Sequence, residues 1–500
     1  MFKELTKVFG ESIIYGLTGV ISTFISVLLV PIYTRVLNPG DYGVTALLGI
    51  FSSILVVIAG MGMSSAIFWA YFRAKERERS TVVGTSFVFQ TVFPFFIASV
   101  VFVLSGFISK AIFSSAENAL LVKIAAGTIF FQAGLLVPLA LLRADGSPRK
   151  YIMITLTNVL ATVFFSIILV VFLHTGVLGV FLANLFGPAI AYLLGLYFTL
   201  RRISFNFSFP WLREMLSFGA PMVPAGLAMW VMNSSDRYFL KAFTSTADVG
   251  IYNVGYRIGM LVTLVSGALQ LAYPRFMFSI YNDKPNPQDY FRKINTYFYL
   301  LIFTFALGIS IFSKEAVQVL TGPAFHDSYV VVPLVAFSYV AYSLYLNFGT
   351  GVSVTKKTYF STAATLIAGG LNLLLNYVLI SRFGIMGAAV STLVSFILLA
   401  LTELYFSQRV YPIPFEFKRL LLVALIGGLL AWLSSLINLE FIYAFIIKSI
   451  LFLVFPVTLY LLGFFEKREL NNLARIWFVI KSNRGRPRKL IESLKQGLIV

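Results

Sequence analysis

Of 500 residues, 59% are hydrophobic and only 12% are charged, far below the roughly 25% charged content of a soluble domain, so the chain is a membrane protein. The absence of cysteine removes disulfides, thiolate metal sites and cysteine nucleophiles. A net charge of +19 would suit nucleic acid, but basic residues collect in the loops of any many-spanning protein and no basic soluble domain is present to hold such a partner, which is therefore set aside.

In chain order, apolar stretches near the length needed to cross a bilayer predict fourteen transmembrane helices in an all-α integral membrane fold. They fall at about 11–37, 42–70, 81–109, 117–142, 151–174, 176–200, 215–240, 248–275, 290–313, 328–351, 357–380, 384–408, 418–438 and 440–464. The N-terminus, MFKELTKVFGESIIYGL, lacks a small-residue cleavage site after a short apolar run and its apolar stretch is long enough to span, so it reads as the first transmembrane helix and not as a signal peptide. Beyond the last, residues 466–500 alternate apolar LARIWFVI with basic RGRPRK. This is the pattern of an amphipathic helix on an anionic membrane surface, with Trp477 at the interface.

Sidedness follows from Lys and Arg in alternate connections. One set holds Lys3, Lys7, RAKERER at 73–79, RADGSPRK at 143–150, Arg201, Arg202, Arg213, Arg275, Lys284, Arg292, Lys293, Lys356, Lys357, Arg409, Lys418 and Arg419. The other holds only Arg35, Lys110, Lys123, Lys241, Lys314 and Arg382. The bias predicts an even number of spans with both termini in the cytoplasm; the membrane expected is a bacterial or archaeal cytoplasmic one.

Three matches share nearly one offset. Phe9-Gly10 recurs as Phe218-Gly219, DYGVTAL at 41 as DVGIYNV at 248, and GVLGVFLANL at 176 as GIMGAAVSTL at 384. An offset of 207–209 contains six spans, so the halves run parallel, related by an axis along the membrane normal, with a substrate site expected between them. The expected lobes are 1–205 and 206–412, followed by two further spans in 413–465 and the cytoplasmic tail 466–500. One chain encloses the cavity, so a monomer is expected.

Charges inside spans are costly and mark a pathway or a partner. Arg257 lies nine residues beyond Asp248, about 13 Å deep at 1.5 Å per residue, and is expected to line the cavity. Asp236 and Arg237 sit near the end of the seventh span, where Arg237 either faces the cavity, pairs with Asp236 or reaches for headgroups. Asn233 and Gln270 join them as candidate substrate-binding residues. Gln132, Asn158, Asn184, Asn347, Asn372 and Asn376 read as interhelical hydrogen-bond partners, and Gly60, Gly62, Gly369 and Gly370 as sites of close helix contact. Pro221 and Pro224 free backbone carbonyls and make the seventh span the candidate gating helix. Glu11 and Glu403, near helix ends, read either as interfacial carboxylates or as candidates for ion coupling. Lys448 lies within the last span, as an internal partner or on a groove outside the core. His174 and His326 fall in connections, and neither HExxH nor GxxxxGK[ST] occurs, so no metal, cofactor or catalytic residue is expected.

The stretches FGESIIYGLTGVIS, PIYTRVLNPGDYG, SFGAPMVPAGLAMWVMNSSDRYFL and STADVGIYNVGYRIG resemble the polysaccharide flippases of the multidrug/oligosaccharidyl-lipid/polysaccharide (MOP) superfamily, Wzx-type O-antigen exporters among them, over essentially the whole chain. The resemblance implies a non-enzymatic flippase that carries undecaprenyl-pyrophosphate-linked oligosaccharide to the outer leaflet by alternating access, for O-antigen, capsule or exopolysaccharide. Membrane lipids and polysaccharide assembly proteins are the further partners it implies. Arg237 and Arg257 would supply charge to the diphosphate, since Arg binds phosphate oxygens in a bidentate manner. Lipid II flippases and cation-coupled multidrug antiporters of the same superfamily are the alternatives, with a membrane polysaccharide polymerase or acyltransferase behind them.

Overall fold

The computed structural model describes residues 25, 27–283, 285–466 and 469; Glu11, most of the span expected at 11–37 and nearly all of the expected tail lie outside them. Among the described residues all regular structure is helical. The first stretch gives α1 (Val30–Val36), α2 (Pro39–Gly60), α3 (Met63–Arg73), α4 (Glu76–Val103), α5 (Ser105–Phe113), α6 (Ala119–Gly134), α7 (Leu136–Ala144), α8 (Pro148–Ser166) and α9 (Gly176–Thr199). Next come α10 (Phe209–Gly219), α11 (Met222–Ser234), α12 (Asp236–Phe243), α13 (Thr246–Gly259), α14 (Val262–Asp283), α15 (Pro287–Ile311) and α16 (Ser313–Leu320). The chain continues through α17 (Val332–Phe348), α18 (Thr350–Val354), α19 (Tyr359–Leu375), α20 (Ser381–Val410), α21 (Phe417–Ser435) and α22 (Phe441–Leu461). Two compact units result, Met1–Phe415 and Glu416–Val500.

Ten helices of the described residues are long and apolar enough to cross a membrane, and twelve when two bent pairs are each taken as one span. The protein is a multi-pass membrane protein. Fourteen were expected, and part of the difference is local geometry. The 52-residue helical stretch Tyr359–Val410 would be about 78 Å long if straight, more than twice the roughly 30 Å hydrocarbon core. Gly384, at φ 53° and ψ −130°, interrupts it. Asn372 Nδ2 donates to Ser395 Oγ at 3.2 Å, a contact that a straight helix would hold about 35 Å apart, so the stretch folds back on itself. The seventh span bends by 42° between α10 and α11, where Pro221 caps α11. The eighth bends by 45° between α13 and α14, a break the apolar pattern did not foretell.

Local features recur at the offset found in the sequence. Asn38 and Ser245 cap α2 and α13 by accepting from the amides of Asp41 and Asp248, so both Asp residues sit in the first turn, where a carboxylate is favoured by the helix dipole. Gly43 and Gly250 follow. A Cβ on Gly43 would lie 1.9 Å from the Thr246 carbonyl oxygen, and one on Gly250 would lie 2.1 Å from that of Pro39. Pro39 and Thr246 are themselves 207 apart, so α2 and α13 cross through a reciprocal contact between two backbones. Gly176 and Gly384 both have positive φ and follow π-helical turns at Ile167–Phe172 and Asn376–Ile380. Close approach of this kind needs small residues at the crossing. Gly62 is another instance, its Cβ position 2.2 Å from the Gly219 carbonyl oxygen, whereas Gly370 has nothing within 4 Å and serves no such contact.

Gly250→Ala is expected to lower the melting temperature of the detergent-solubilised protein by the equivalent of about 1–3 kcal/mol, the usual cost of overpacking, because backbone atoms cannot move aside. Gly370→Ala is the control and should be neutral or slightly stabilising. Equal melting curves for the two variants would show that the α2–α13 crossing yields freely.

The segment between α9 and α10, where the first expected lobe ends, is strapped to α4. Ser204 Oγ donates to the Ser80 carbonyl at 2.7 Å and the Ser208 amide to Thr85 Oγ1 at 2.9 Å. A Cβ on Gly84 would lie 1.8 Å from the Ser204 carbonyl oxygen, so only glycine lets the strap lie this close. Buried apolar side chains of α3, α4 and α7, with Ile203, Leu212 and Met215, pack into one cluster beneath it.

Candidate functional site

A cavity of about 480 Å³ opens against α2, α6, α8, α9 and α13. Its wall carries Tyr42, Thr45, Ser52 and Ser53 from α2, Thr128 and Gln132 from α6, Asn158 and Thr162 from α8, and Asn184 from α9. Tyr33, Asn253 and Arg257 complete the polar lining. Arg257 is the one charged side chain among the described residues that line it. Its guanidinium carbon stands 5.8 Å from the centroid of the Tyr42 ring. The reciprocal glycine crossing explains why a residue of α13 reaches a cavity walled mostly by α2–α9: with no side chains between α2 and α13, the two helices run close enough for Arg257 to reach past Tyr42.

Many of the lining hydroxyls and amides satisfy their own helices, which keeps them in place. Ser52 donates to the Leu48 carbonyl at 2.9 Å, Thr162 to that of Asn158 at 2.8 Å, and Asn184 Nδ2 to that of Val180 at 2.9 Å. Ser53 Oγ accepts from Trp230 Nε1 at 2.9 Å, which ties α11 to the cavity edge. A water-facing wall of hydroxyls and amides with one guanidinium offers hydrogen bonds to sugar hydroxyls and charge-assisted bonds to a phosphate.

Asp236 and Arg237 lie elsewhere. They are 1% and 3% exposed, and Arg237 Nη1 donates to Asp236 Oδ1 at 2.7 Å and to the Asn233 carbonyl at 2.5 Å. Tyr252 donates to Asp236 Oδ2 at 2.5 Å, and Thr392 adds a longer bond to the same oxygen at 3.4 Å. The guanidinium carbon sits 3.8 Å from the Tyr256 ring centroid and 5.0 Å from that of Tyr252. Two aromatic faces and a carboxylate thus enclose the cation. Of the alternatives left open by the sequence, the pair with Asp236 is the one formed, and Arg237 does not line the cavity. Asn233 belongs to the same network, its Oδ1 accepting from Tyr256 and Tyr339 at 3.4 Å. Gln270 also stands apart from the cavity, donating to Asn347 Oδ1 at 2.9 Å.

Glu403 is 1% exposed, which corrects its reading as an interfacial carboxylate. Ser361 donates to its Oε1 at 2.5 Å, while Oε2 is buried without a hydrogen-bond partner among the described residues. Lys448 is likewise buried. The residues that sequence reasoning assigned to interhelical glue, Gln132, Asn158 and Asn184, instead line the cavity. The signal was present as spacing: Thr45 and Ser52, Thr128 and Gln132, and Asn158 and Thr162 each stand four or seven residues apart on one helix face.

The family model described as "Polysaccharide biosynthesis protein" matches residues 32–330, more than half of the chain. The protein belongs to that family. Among curated relatives, "Probable low-salt glycan biosynthesis flippase Agl15" of Haloferax volcanii is 24% identical over 43% of this chain and 46% of its own length, so the match spans about half of that relative. The "Uncharacterized membrane protein MJ1068" of Methanocaldococcus jannaschii is 21% identical over 84% of this chain and 88% of its own. Among solved structures, the lipid II flippase MurJ in an inward closed conformation superposes with a TM-score of 0.71 at 15% identity, over 90% of this chain and 98% of that one. An inward-facing multidrug resistance MATE transporter of the MOP superfamily superposes with a TM-score of 0.64 at 16% identity, over 78% and 94%. The fold of this family member is therefore that of MOP transporters, as the sequence led one to expect.

Proposed function

We propose that the protein is a flippase that carries a lipid-linked oligosaccharide between membrane leaflets by alternating access, with the diphosphate of the lipid carrier held by Arg257. The observation that carries this reading is a cavity lined by neutral hydroxyls and amides with one guanidinium and no carboxylate among the described lining residues. A cationic drug would meet repulsion there, whereas a sugar diphosphate meets both kinds of group it needs. A cavity of about 480 Å³ is of the size that holds a drug-sized ligand, too small for a polyprenyl chain as well, so the tail stays in lipid. The family description and the flippase name of the Haloferax relative point the same way. The bend at Pro221, with Pro224 one turn into α11, is the gating element in this scheme, and Glu403, with one buried oxygen unpartnered, is its candidate for ion coupling.

Purified protein in liposomes separates the readings. Transfer of a fluorescent undecaprenyl-pyrophosphate oligosaccharide, with no transfer of lipid II and no ethidium efflux, is the expected result. Lipid II transfer alone would assign the protein to the other flippase class, and ethidium efflux alone would make it a drug antiporter.

A further inference from the structure

A second cleft, of about 400 Å³, lies at the end of the first helices that carries the basic loops. It is built from three segments distant in sequence: Arg79 from the first turns of α4, Asp145 from the α7–α8 turn, and Arg201 and Arg202 from the end of α9. The strap explains their meeting. Ser204 bonded to Ser80, and Gly84 pressed against the Ser204 carbonyl, lay the chain after α9 along α4 and bring Arg201 and Arg202 over Arg79.

The charges in this cleft do not balance within it. Arg202 pairs with Asp145, whose Oδ1 also accepts from the Tyr71 hydroxyl at 3.3 Å, so that oxygen is shared between Arg202 and Tyr71. Neither Arg79 nor Arg201 forms an ion pair among the described residues, and the remaining carboxylate, Glu76, is exposed at the rim. Arg79 is nevertheless held in place: its guanidinium carbon stands 5.1 Å from the Tyr71 ring centroid, and its Nε is buried with no hydrogen-bond partner. A guanidinium fixed by stacking, with an unused donor, is organised for an anion that the protein itself does not supply. Aromatic and basic residues near these positions in the chain also pair, Trp69 with Arg73 and Phe198 with Lys150, a composition suited to a membrane interface.

We propose that this cleft is a binding site for the phosphate of a membrane lipid headgroup, held by Arg79 and Arg201 and seated on the connector between the two halves of the helical body. The site is separate from the cavity at Arg257 and does not depend on what that cavity carries. A lipid phosphate here clamps the strap to α4, so headgroup composition sets how firmly the connector is held.

The test uses full-length protein in vesicles of phosphatidylglycerol and phosphatidylcholine, with a trace of phosphatidylglycerol bearing a photoactivatable headgroup, and maps the labelled peptides. Labelling is expected on the peptides containing residues 71–83 and 198–208. It should fall roughly 30-fold there in the variant R79Q/R201Q, as expected for two phosphate-facing charges, while labelling elsewhere is unchanged. R79K/R201K keeps the charge and should retain most of the labelling, and the melting temperatures of both variants show that they are folded. Unchanged labelling in R79Q/R201Q, or none on these peptides in the wild type, overturns the proposal. Suppression by tens of millimolar inorganic phosphate would overturn the lipid as the source and assign the cleft to a soluble phosphate.

Discussion

For the flippase proposed above, replacing Arg257 with alanine is expected to abolish glycan export while leaving the amount of protein in the membrane unchanged. The side chain borders the cavity and is partly exposed, so its loss leaves a space that water fills. What disappears is the one charged group among the described lining residues, and with it charge-assisted bonds worth about 1.5–3 kcal/mol each to a phosphate, or roughly 10- to 100-fold in affinity per bond. Arg257→Lys keeps the charge but not the bidentate fork and should retain part of the activity. Complementation of a flippase-deficient strain, with an immunoblot of the membrane fraction, reads both quantities. Export at the wild-type rate by the alanine variant would remove Arg257 from the mechanism.

Arg237→Leu is expected to do the opposite and deplete the protein itself. Asp236, 1% exposed, would lose its ion-pair partner while keeping the hydroxyls of Tyr252 and Thr392 and the backbone amide of residue 237. Leaving one member of a buried pair uncompensated costs about 3–5 kcal/mol, a large share of the stability of most folds. Asp236→Asn added to Arg237→Leu removes the orphaned charge and should recover part of the loss, a coupling that a double-mutant cycle measures directly. Membrane abundance and melting temperature are the readouts. If Arg237→Leu kept both at wild-type values and lost only export, the pair would be serving the substrate and not the fold.

These two arginines, twenty residues apart, show what a sequence discloses and what it withholds. Both stand in apolar spans, and the cost of burying charge marks both as significant. Depth along the span was enough to place Arg257 at a cavity. The fate of Arg237 depends on Tyr252 and Tyr256, on the next span, and on Thr392, more than 150 residues away, and no local pattern reports such partners. The same distinction holds for bends. Pro221 announces its own break through the missing amide, whereas the bend after Gly259 comes with Gly255 and Gly259 packed against Ser328 and Val335, a tertiary cause. The apolar lengths gave the spans well, because lipid imposes them. They gave the neutral polar wall poorly, since an Asn or Thr on a membrane helix looks alike whether it bonds a neighbouring helix or faces water.

The strap from Ser204 to Ser208 leaves the link between α9 and α10 almost no slack on its α4 side. Any rocking of one half against the other must then turn about a fulcrum near that anchorage, and the first joint free to absorb the rotation is the 42° elbow at Pro221. The backbone-to-backbone crossing at Gly43 and Gly250 is the contact that such a rotation would have to part.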